Sequence, residues 1–231
     1  MKVVILAAGK GVRMLPLTES VPKVLIEIGG RSFIWYVIQR LKSAGFQDLI
    51  IVGGYKIEKL KEFVINNDVP AIVVEQKEQK GTAHALMQAK RFCGGEQFLV
   101  VNGDSLFSVD DLKELAKTHF TSCIVGKEVE TPEKYGILLT QGNKLSKIIE
   151  KPKQFVGNLA NVGLYKFTPE IWTALDKIGL SPRGEYELTD AVTRLAMHGN
   201  VLVLKLKDYW LDFGSVEDVK KVGEFLKTQN I

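Results

Sequence analysis

Residues 2–8 read KVVILAA, and they run directly into residues 9–14, which read GKGVRM. A short, unbroken run of apolar and β-branched residues is typical of a strand that is buried on both faces, as in parallel sheets. The glycine-rich turn that follows exposes backbone N–H groups, and these can surround the oxygen atoms of a phosphate. We therefore predict a buried first strand that ends in a loop suited to an anion.

Strand and helix patterns alternate after this loop, up to about residue 118. Apolar runs predict strands at 49–52, 71–74 and 98–101. Apolar spacing predicts helices at 32–44, 57–65, 82–92 and 110–118. Strands that alternate with helices about every ten to fifteen residues favour a doubly wound α/β sheet.

The pattern changes from residue 121 onward, where strand-like runs follow each other without helices between them. These runs are 122–129, 135–140, 144–150 and 161–167. They predict a small antiparallel extension of the sheet. Further elements are predicted as helices at 169–178, 187–198 and 216–228 and a strand at 201–206. No internal repeat, low-complexity segment or linker interrupts the chain, so we expect a single domain over residues 1–231.

The composition is that of an ordinary globular protein, with 231 residues, 45% hydrophobic and 25% charged, and a net charge of +4. The lysines are spread along the chain, without the basic run that is typical of nucleic-acid binding. No run approaches the roughly 18 apolar residues of a membrane span. Cys93 and Cys123 are far apart in sequence, which favours buried, reduced thiols over a disulfide or zinc site. We expect a cytoplasmic protein that binds neither nucleic acid nor membranes.

The glycine-rich loop at 9–14 is open to more than one interpretation. The P-loop pattern is absent, and Met14 stands where a dinucleotide-binding fingerprint requires its third glycine. Lys10, Arg13 and Lys23 supply cations that a purely structural turn does not need. Structural turns with incidental lysines are common, however. The loop chemistry alone therefore leaves phosphate binding and a structural turn equally open.

An acidic residue, Asp104, follows the apolar strand predicted at 98–101. Ligands of open α/β sheets bind at the carboxyl ends of the strands, where a carboxylate can hold Mg²⁺. A turn or helix-capping role for Asp104 remains equally open, since Gly-Asp-Ser is good turn chemistry. The three histidines are not grouped at metal-ligand spacing, and we interpret His119 and His198 as surface or helix-end residues.

Residues 6–14 (LAAGKGVRM), followed by 22–25 (PKVL), resemble the signature of the sugar-1-phosphate nucleotidylyltransferases. Further motifs of that family recur in order, namely Gly103-Asp104, Tyr135-Gly136, Glu150-Lys151-Pro152, Asn161–Tyr165 (NVGLY), Glu187–Asp190 (ELTD) and Trp210-Leu211-Asp212. The resemblance covers nearly the whole chain. It implies a Rossmann-like doubly wound mixed sheet of the nucleotide-diphospho-sugar transferase type, with the antiparallel extension over the substrate. Residues 1–120 would bind the nucleotide and residues 121–231 the sugar.

The resemblance also implies roles for individual residues. Arg13 and Lys23 would be catalytic, and Asp104 and Asp212 would hold Mg²⁺. Nucleotide binding would fall to Leu6, Ala8, Gly9, Gly11, Gln76, Gly81 and Thr82. Sugar-phosphate binding would fall to Gly136, Glu150, Lys151, Asn161 and Glu187. Simpler roles stay open for some of them: a turn for Asp212, a helix cap for Thr82, a surface ion pair for Glu150 and Lys151, and a first-turn acid for Glu187.

The implied reaction joins a nucleoside triphosphate to a hexose 1-phosphate and releases pyrophosphate. The segment 76–85 (QKEQKGTAHA) is similar to that of uridylyltransferases, so UTP is favoured, with dTTP next, and glucose 1-phosphate or N-acetylglucosamine 1-phosphate as acceptor. The bifunctional uridylyltransferases carry a C-terminal β-helix that this sequence lacks, so acetyl transfer is not expected. The alternatives are a cytidylyltransferase acting on a phospho-alcohol, a mannose-1-phosphate guanylyltransferase, and a non-catalytic regulatory subunit that binds nucleotide sugars. A homo-oligomer is compatible with each of them.

Overall fold

A computed structural model describes residues 1–118, 121–199 and 201–229 of the chain. Its strands are β1 (Lys2–Ala7), β2 (Glu27–Ile28), β3 (Arg31–Ser32), β4 (Leu49–Gly53), β5 (Ala71–Glu75), β6 (Phe98–Asn102), β7 (Ser105–Phe107), β8 (Ser122–Glu128), β9 (Gly136–Gln141), β10 (Lys144–Glu150), β11 (Leu159–Phe167), β12 (Val201–Lys205) and β13 (Trp210–Asp212). Its α-helices are α1 (Phe33–Ser43), α2 (Ile57–Asn66), α3 (Thr82–Gln88), α4 (Lys90–Cys93), α5 (Val109–Lys117), α6 (Glu170–Leu175), α7 (Leu188–Ala196) and α8 (Val216–Thr228).

Nine of these strands form one mixed sheet in the order β5-β4-β1-β6-β11-β8-β12-β10-β9. The first four strands of this order are parallel, and β11 then runs antiparallel to β6. The predicted antiparallel extension is thus a continuation of the same sheet, in which only β12 pairs in parallel, with β8. Strands from both predicted parts, 1–120 and 121–231, share this sheet.

Helices cover both faces of the sheet. Alternate residues of β1 belong to different cores, because Val3 and Ile5 pack with α1 and α5, whereas Val4 packs with α3, α6 and α7. Burial on both faces explains why the first strand is continuously apolar instead of alternating. The predicted helix 32–44 is present as α1, and Gly45, with a φ of +94°, follows its end.

The direction of strand order reverses between β1 and β6, because β1 leads through α1 to β4 on one side and β6 lies on the other. Such a reversal leaves a crevice beyond the carboxyl ends of the two strands. The glycine-rich loop follows β1, and Asp104 follows β6. The topology therefore places the two segments on the same edge of the sheet.

Two small two-stranded antiparallel sheets lie outside the main sheet, and the periodicity of the sequence did not predict either. One pairs β2 with β3, and the other pairs β13 with β7. The second pair sets Asp212 opposite Ser105, the residue after Asp104. The rings of Phe33 and Phe213 are stacked 4.5 Å apart, which anchors the end of β13 against the start of α1. This pairing of β13 with β7 brings the C-terminal part of the chain to the crevice.

Several smaller predictions can be compared with the described residues. The predicted helix 82–92 is divided into α3 and α4 around Ala89. Cys93 and Cys123 are buried and free, as predicted. His198 is exposed after α7, whereas His119 lies outside the described residues. Among the helices of the described ranges, none is both long and apolar enough to cross a membrane.

Candidate active site

A cleft of about 510 Å³ opens at the carboxyl ends of β1 and β6. Its volume is in the range of small-molecule binding sites. The predicted residues that line it are Leu6, Ala8, Gly9, Gly11, Lys23, Gln76, Gly81, Thr82 and Asp104. Every residue predicted for nucleotide binding therefore lies at this cleft, together with one of the two predicted catalytic cations and one of the two predicted metal ligands.

The loop after β1 is fixed against Lys23 by Gly11. Gly11 has a φ of +64°, and a Cβ atom placed on it would lie 2.9 Å from the Cβ atom of Lys23. The hydroxyl of Thr18 donates to the carbonyl oxygen of Gly11 over 3.0 Å. Only glycine tolerates both this backbone conformation and this close approach. The position of the loop and the position of Lys23 thus depend on each other.

Lys23 forms an ion pair with Asp104 across the cleft. The side chains are 13% and 28% exposed, respectively, so the pair is neither buried nor freely solvated. Lys23 opens a single 3₁₀ turn, Lys23–Leu25, behind Pro22, whose ψ of 147° keeps the chain extended up to that point. The rigid entry through proline aims the ammonium group at the carboxyl end of β6.

Asp212 is the last residue of β13, which pairs with β7, and it lies beside Asp104, the residue before β7. The backbone N–H of Phe213 donates to the carbonyl oxygen of Asp104 over 2.8 Å, which links the two segments directly. Burial, and then the negative charge of Asp104, raise the pKa of Asp212 to about 6, although Lys23 and Arg13 act in the opposite direction. Two carboxylates that repel each other at close range are a favourable place for a cation.

Arg13 approaches Asp212 from the 3₁₀ turn Val12–Met14. A Cβ atom placed on Gly214 would lie 3.6 Å from a guanidinium nitrogen of Arg13 and 3.5 Å from a carboxylate oxygen of Asp212. The absence of a side chain at Gly214 therefore leaves room for both groups. Arg13 and Asp212 flank the cleft and do not belong to its lining.

The acidic groups at this site suit a hard divalent cation. Within the described ranges of the chain, no group of three or more Asp, Glu, His or Cys residues could hold a metal ion alone. An ion such as Mg²⁺, however, is usually held by one or two carboxylates together with phosphate oxygens of the substrate. Asp104 and Asp212 provide that number of carboxylates and leave the remaining positions to a bound polyphosphate.

One wall of the cleft is formed by Gln76, Gly81 and Thr82. Gly81 has a φ of +101°, and a Cβ atom on it would lie 2.5 Å from the carbonyl oxygen of Tyr186, so no other residue fits there. Gln76 is only 2% exposed and its amide nitrogen donates to the carbonyl oxygen of Gly81 over 3.0 Å. The Thr82 hydroxyl accepts from the N–H of Leu188 over 3.0 Å. Thr82 therefore caps α7 and not, as its position suggested, its own helix.

The predicted sugar-side residues lie on neighbouring strands. Glu150 stands opposite Gly136, where a Cβ atom would lie 2.8 Å from the Glu150 carboxylate. Asn161 on β11 accepts from the N–H of Gly163 over 3.0 Å and donates to the Tyr165 hydroxyl over 2.7 Å. The charge of Glu150 also acts on this hydroxyl: burial first, and then Glu150, raise the pKa of Tyr165. The structure thus brings Gly136, Glu150 and Asn161 together.

Lys151 and Glu187 occupy different surroundings. Lys151 is exposed and has a φ of +43°, an uncommon conformation for a residue other than glycine. Glu187 is buried at the N-terminal cap of α7, where its carboxylate accepts from Arg183 over 2.8 Å and from Ser181 over 3.1 Å. Glu187 thus orders the loop that precedes α7 and is not a lining residue of the cleft.

Sequence reasoning missed several lining residues of the cleft, among them Asn102, Gln79 and Glu185. Asn102 is the last residue of β6 and packs over Gly163, whose Cβ position would fall 2.1 Å from the Asn102 amide. Its location at a strand end was a usable signal. Glu185 comes to the cleft because Tyr186 pairs through its backbone with Lys80 and Ala83, a long-range contact that no local pattern reveals.

A doubly wound sheet with a glycine-rich loop, two cations and two carboxylates at its switch point defines a nucleotide-binding α/β transferase. The family model described as nucleotidyl transferase matches residues 2–229, and the chain belongs to this family. Enzymes of this family generally use a divalent metal ion. The predicted resemblance to the sugar-1-phosphate nucleotidylyltransferases is confirmed.

Curated relatives match almost the full length of this chain. It is 37% identical to the bifunctional protein GlmU of Methanocaldococcus jannaschii over 98% of the chain and 54% of that protein. It is 38% identical to a bifunctional sugar-1-phosphate nucleotidylyltransferase/acetyltransferase of Sulfurisphaera tokodaii, over 96% and 55%, respectively. The chain therefore spans about half the length of these relatives. The UTP–glucose-1-phosphate uridylyltransferase AglF of Haloferax volcanii, 34% identical, matches over 99% of the chain and 98% of AglF.

Solved structures with the same architecture confirm the predicted fold class. A UDP-glucose pyrophosphorylase in complex with UDP-glucose superposes with a TM-score of 0.88 at 25% identity, covering 99% of this chain and 98% of the other. A putative glucose-1-phosphate thymidylyltransferase from Bacillus anthracis superposes with a TM-score of 0.85 at 24% identity, over 97% and 94% of the two chains. The second match shows the fold alone.

Proposed function

We propose that this chain transfers a nucleotidyl group from UTP, with dTTP as the next choice, to glucose 1-phosphate or N-acetylglucosamine 1-phosphate. The products are a nucleotide sugar and pyrophosphate. The observation that carries the proposal is the convergence of Lys23, Arg13, Asp104 and Asp212 at the mouth of the cleft. Such a mixture of positive and negative side chains suits a polyphosphate that is bound together with a divalent cation.

The proposed reaction is an in-line attack by a phosphate oxygen of the sugar 1-phosphate on the α-phosphorus, with pyrophosphate as the leaving group. The second pKa of a phosphate monoester is about 6, so the nucleophile is already an anion at neutral pH and needs no general base. Catalysis then depends on positioning and on the neutralisation of charge. The partly buried cations and carboxylates of the site suit both tasks.

The two cations have separate tasks in this proposal. Lys23, held against the loop by Gly11, contacts the phosphoryl groups between which the new bond forms. Arg13, on the turn that continues this loop, stabilises the β- and γ-phosphates and the charge of the departing pyrophosphate. Asp104 holds the ammonium group of Lys23 before the substrates arrive.

Mg²⁺ is the metal ion that we propose for Asp104 and Asp212. When bound, it supplies positive charge to the phosphate oxygens as a Lewis acid. The raised pKa of Asp212 supports this assignment, because burial beside another carboxylate makes its charge unfavourable until a cation compensates for it. The ion pair of Lys23 and Asp104 must rearrange so that the Asp104 carboxylate can also bind the metal ion.

Residues 1–120 bind the nucleotide and residues 121–231 the sugar in this proposal. Gln76 and the backbone at Gly81 and Thr82 contact the base, while Leu6, Ala8 and Gly9 follow the nucleotide along the cleft. Gly136, Glu150 and Asn161 contact the sugar hydroxyls from their adjacent strands. Lys151 is the proposed contact to the phosphate of the sugar substrate, whereas Glu187 orders the loop that precedes α7 on this side. The name of the Haloferax volcanii relative supports UTP and glucose 1-phosphate.

The proposed enzyme acts on small soluble substrates in the cytoplasm. The free, buried thiols of Cys93 and Cys123 suit that reducing compartment. Burial raises the pKa of Cys93 to about 11, which keeps this thiol protonated and unreactive.

The test is a panel of UTP, dTTP, CTP and GTP, each crossed with glucose 1-phosphate, N-acetylglucosamine 1-phosphate and mannose 1-phosphate. Pyrophosphate release is measured with Mg²⁺ and with EDTA. We expect the fastest release with UTP and one of the first two acceptors, and none with EDTA. Asp104→Asn should abolish turnover but still bind nucleotide. A wild-type protein that binds nucleotide sugars without turning over any pair would instead be a binding subunit.

A further inference from the structure

Gln76 is held by hydrogen bonds on only one side of its amide group. Its nitrogen Nε2 donates to the carbonyl oxygen of Gly81 over 3.0 Å and lies 2.9 Å from Nδ1 of His84. Its oxygen Oε1 accepts from no group within the described ranges 1–118, 121–199 and 201–229, although Gln76 lines the cleft. The amide therefore uses its nitrogen for contacts within the protein and leaves its oxygen available for a ligand in the cleft that Gln76 lines.

This orientation is fixed by chemistry. The carbonyl oxygen of Gly81 can only accept a hydrogen bond, so the amide atom that faces it must be the nitrogen. The second hydrogen of that nitrogen points to His84, and Nδ1 of the ring must accept it. With both amide hydrogens used, rotation of the amide would set oxygen against oxygen at Gly81 and lose both bonds.

The ring of His84 lies between two glutamine side chains of different roles. His84 lies on α3, one turn before Gln88, whose amide nitrogen donates to the His84 carbonyl oxygen over 3.0 Å. Nε2 of the ring, which carries the proton when Nδ1 accepts, lies 3.3 Å from that amide nitrogen and forms no hydrogen bond with it, because both groups are donors. The ring is thus positioned between two glutamine side chains, with Nδ1 towards Gln76. None of the roles proposed above uses His84.

We propose that His84 is a positioning residue for base selection: by accepting from Gln76, it keeps the Gln76 oxygen towards the cleft as a hydrogen-bond acceptor. An acceptor at this point selects a base edge that offers a donor. Uracil and thymine carry N3–H on their pairing edge, whereas cytosine presents an unprotonated N3 there. Cytosine would set two acceptors against each other, and a buried site that leaves polar groups unpaired discriminates strongly. The proposal rests on the proposed function and specifies its choice among the pyrimidine nucleotides.

Two substitutions of His84 distinguish a role in positioning the Gln76 amide from a role in packing alone. His84→Leu keeps the bulk of the side chain but removes the acceptor. His84→Asn places an acceptor oxygen where Nδ1 stands and removes the rest of the ring. His198→Ala, at an exposed histidine after α7, is the matched control. For each protein, kcat/KM is measured with UTP, dTTP and CTP, and the dissociation constants of UTP and CTP are measured by calorimetry with Mg²⁺.

We expect wild type to favour UTP and dTTP over CTP in both measurements. His84→Leu should lower the UTP:CTP ratio of kcat/KM by about tenfold, the scale of one lost hydrogen bond and a freed amide. The dTTP:UTP ratio should stay constant, since the two bases share the same edge. His84→Asn should keep the UTP:CTP ratio within about threefold of wild type, and His198→Ala should not change it.

Three outcomes would overturn the proposal. The first is a wild type that binds CTP as well as UTP. The second is a folded His84→Leu protein, judged by circular dichroism, with an unchanged UTP:CTP ratio. The third is a His84→Asn protein as unselective as His84→Leu. If wild type binds UTP selectively but turns over no sugar phosphate, the proposed function fails while the base selection stands, so the two failures are distinguishable.

Discussion

The ammonium group of Lys23 pairs with the carboxylate of Asp104, which lies 81 positions further along the chain. The pair joins the segment behind the glycine-rich loop to the carboxyl end of β6. Both side chains are partly screened from water, so the loss of either partner leaves a charge without compensation. This contact gives the proposed phosphate site its geometry in the absence of substrate.

Replacement of Lys23 tests whether its cation acts on the reacting phosphates. Lys23→Met should lower kcat/KM by about 10²- to 10³-fold, the usual cost of removing one charged donor from a transition state. Lys113→Met, at an exposed position of α5, is the matched control and should leave kcat/KM unchanged. Steady-state kinetics with saturating Mg²⁺ provides the measurement. An effect of less than about threefold would remove Lys23 from the reaction.

Replacement of the carboxylates tests the metal site. Asp212→Asn should raise the Mg²⁺ concentration for half-maximal activity by more than about tenfold, because a neutral amide is a weaker ligand. The measurement is the reaction rate as a function of Mg²⁺ concentration. Asp110→Asn, at an exposed position of α5, is the control. If Asp212→Asn keeps the wild-type Mg²⁺ dependence, Asp212 is a turn residue and not a ligand.

The raised pKa of Asp212 predicts a pH-dependent stability of the metal-free protein. The pKa is about 6 in the folded state against an ordinary value of 3.8, so the protonated form favours folding. The resulting stabilisation is full below about pH 4 and is lost as the pH rises through about 6. In EDTA, Asp212→Asn should therefore be more stable than wild type at pH 8 by about 1–3 kcal/mol, with no gain at pH 4.

Urea unfolding of both proteins at the two pH values measures this difference. Addition of Mg²⁺ at pH 8 should stabilise wild type and have little effect on Asp212→Asn. A stability gain of the same size at both pH values would contradict the account, because it would not depend on the ionisation of Asp212.

Gly11 provides a test of the loop. Gly11→Ala forces a Cβ atom to within 2.9 Å of the Cβ atom of Lys23, in a left-handed backbone conformation. We expect a loss of about 1–3 kcal/mol in the free energy of unfolding and a weaker affinity for UTP. Gly95→Ala is the matched control, since its Cβ position has open space. A Gly11→Ala protein with wild-type stability and affinity would show that the close approach is not required.

Thr82 links the wall of the cleft to the start of α7. Thr82→Val removes the hydroxyl that accepts from Leu188 but keeps the shape of the side chain. The free energy of unfolding should fall by about 1 kcal/mol, the usual value of a capping interaction. Thr82→Ser should retain most of the stability. A loss in Thr82→Ser with none in Thr82→Val would contradict the capping role and assign the effect to packing of the methyl group.

The sequence predicted the main sheet because its long elements carry strong periodic signals. The buried runs of β1, β4 and β6, and the amphipathic pattern of α1, are decided by local burial. The pairing of β7 with β13 could not be predicted in this way. Each of its strands has three residues, and the pairing joins segments that are far apart in the chain.

The candidate site likewise combines residues that the sequence predicted with contacts that it did not predict. The glycine-rich loop, Lys23 and Asp104 are recognisable because strand ends and motif residues mark them. The capping of α7 by Thr82, and the approach of Glu185 to the cleft, depend on backbone pairing between 80–83 and 186–188. The orientation of the Gln76 amide likewise depends on His84 and on the carbonyl of Gly81. Such contacts are determined by tertiary packing, which the local periodic pattern of the sequence does not reveal.

The most direct test of nucleotidyl transfer follows labelled phosphate atoms. Wild-type protein is incubated with Mg²⁺, UTP labelled at the α-phosphorus, and glucose 1-phosphate labelled at a non-bridging phosphate oxygen. The account predicts that both labels are found in one UDP-sugar product and that the released pyrophosphate carries neither. Label from the sugar phosphate in pyrophosphate or free phosphate, or no UDP-sugar with either glucose 1-phosphate or N-acetylglucosamine 1-phosphate, would contradict it.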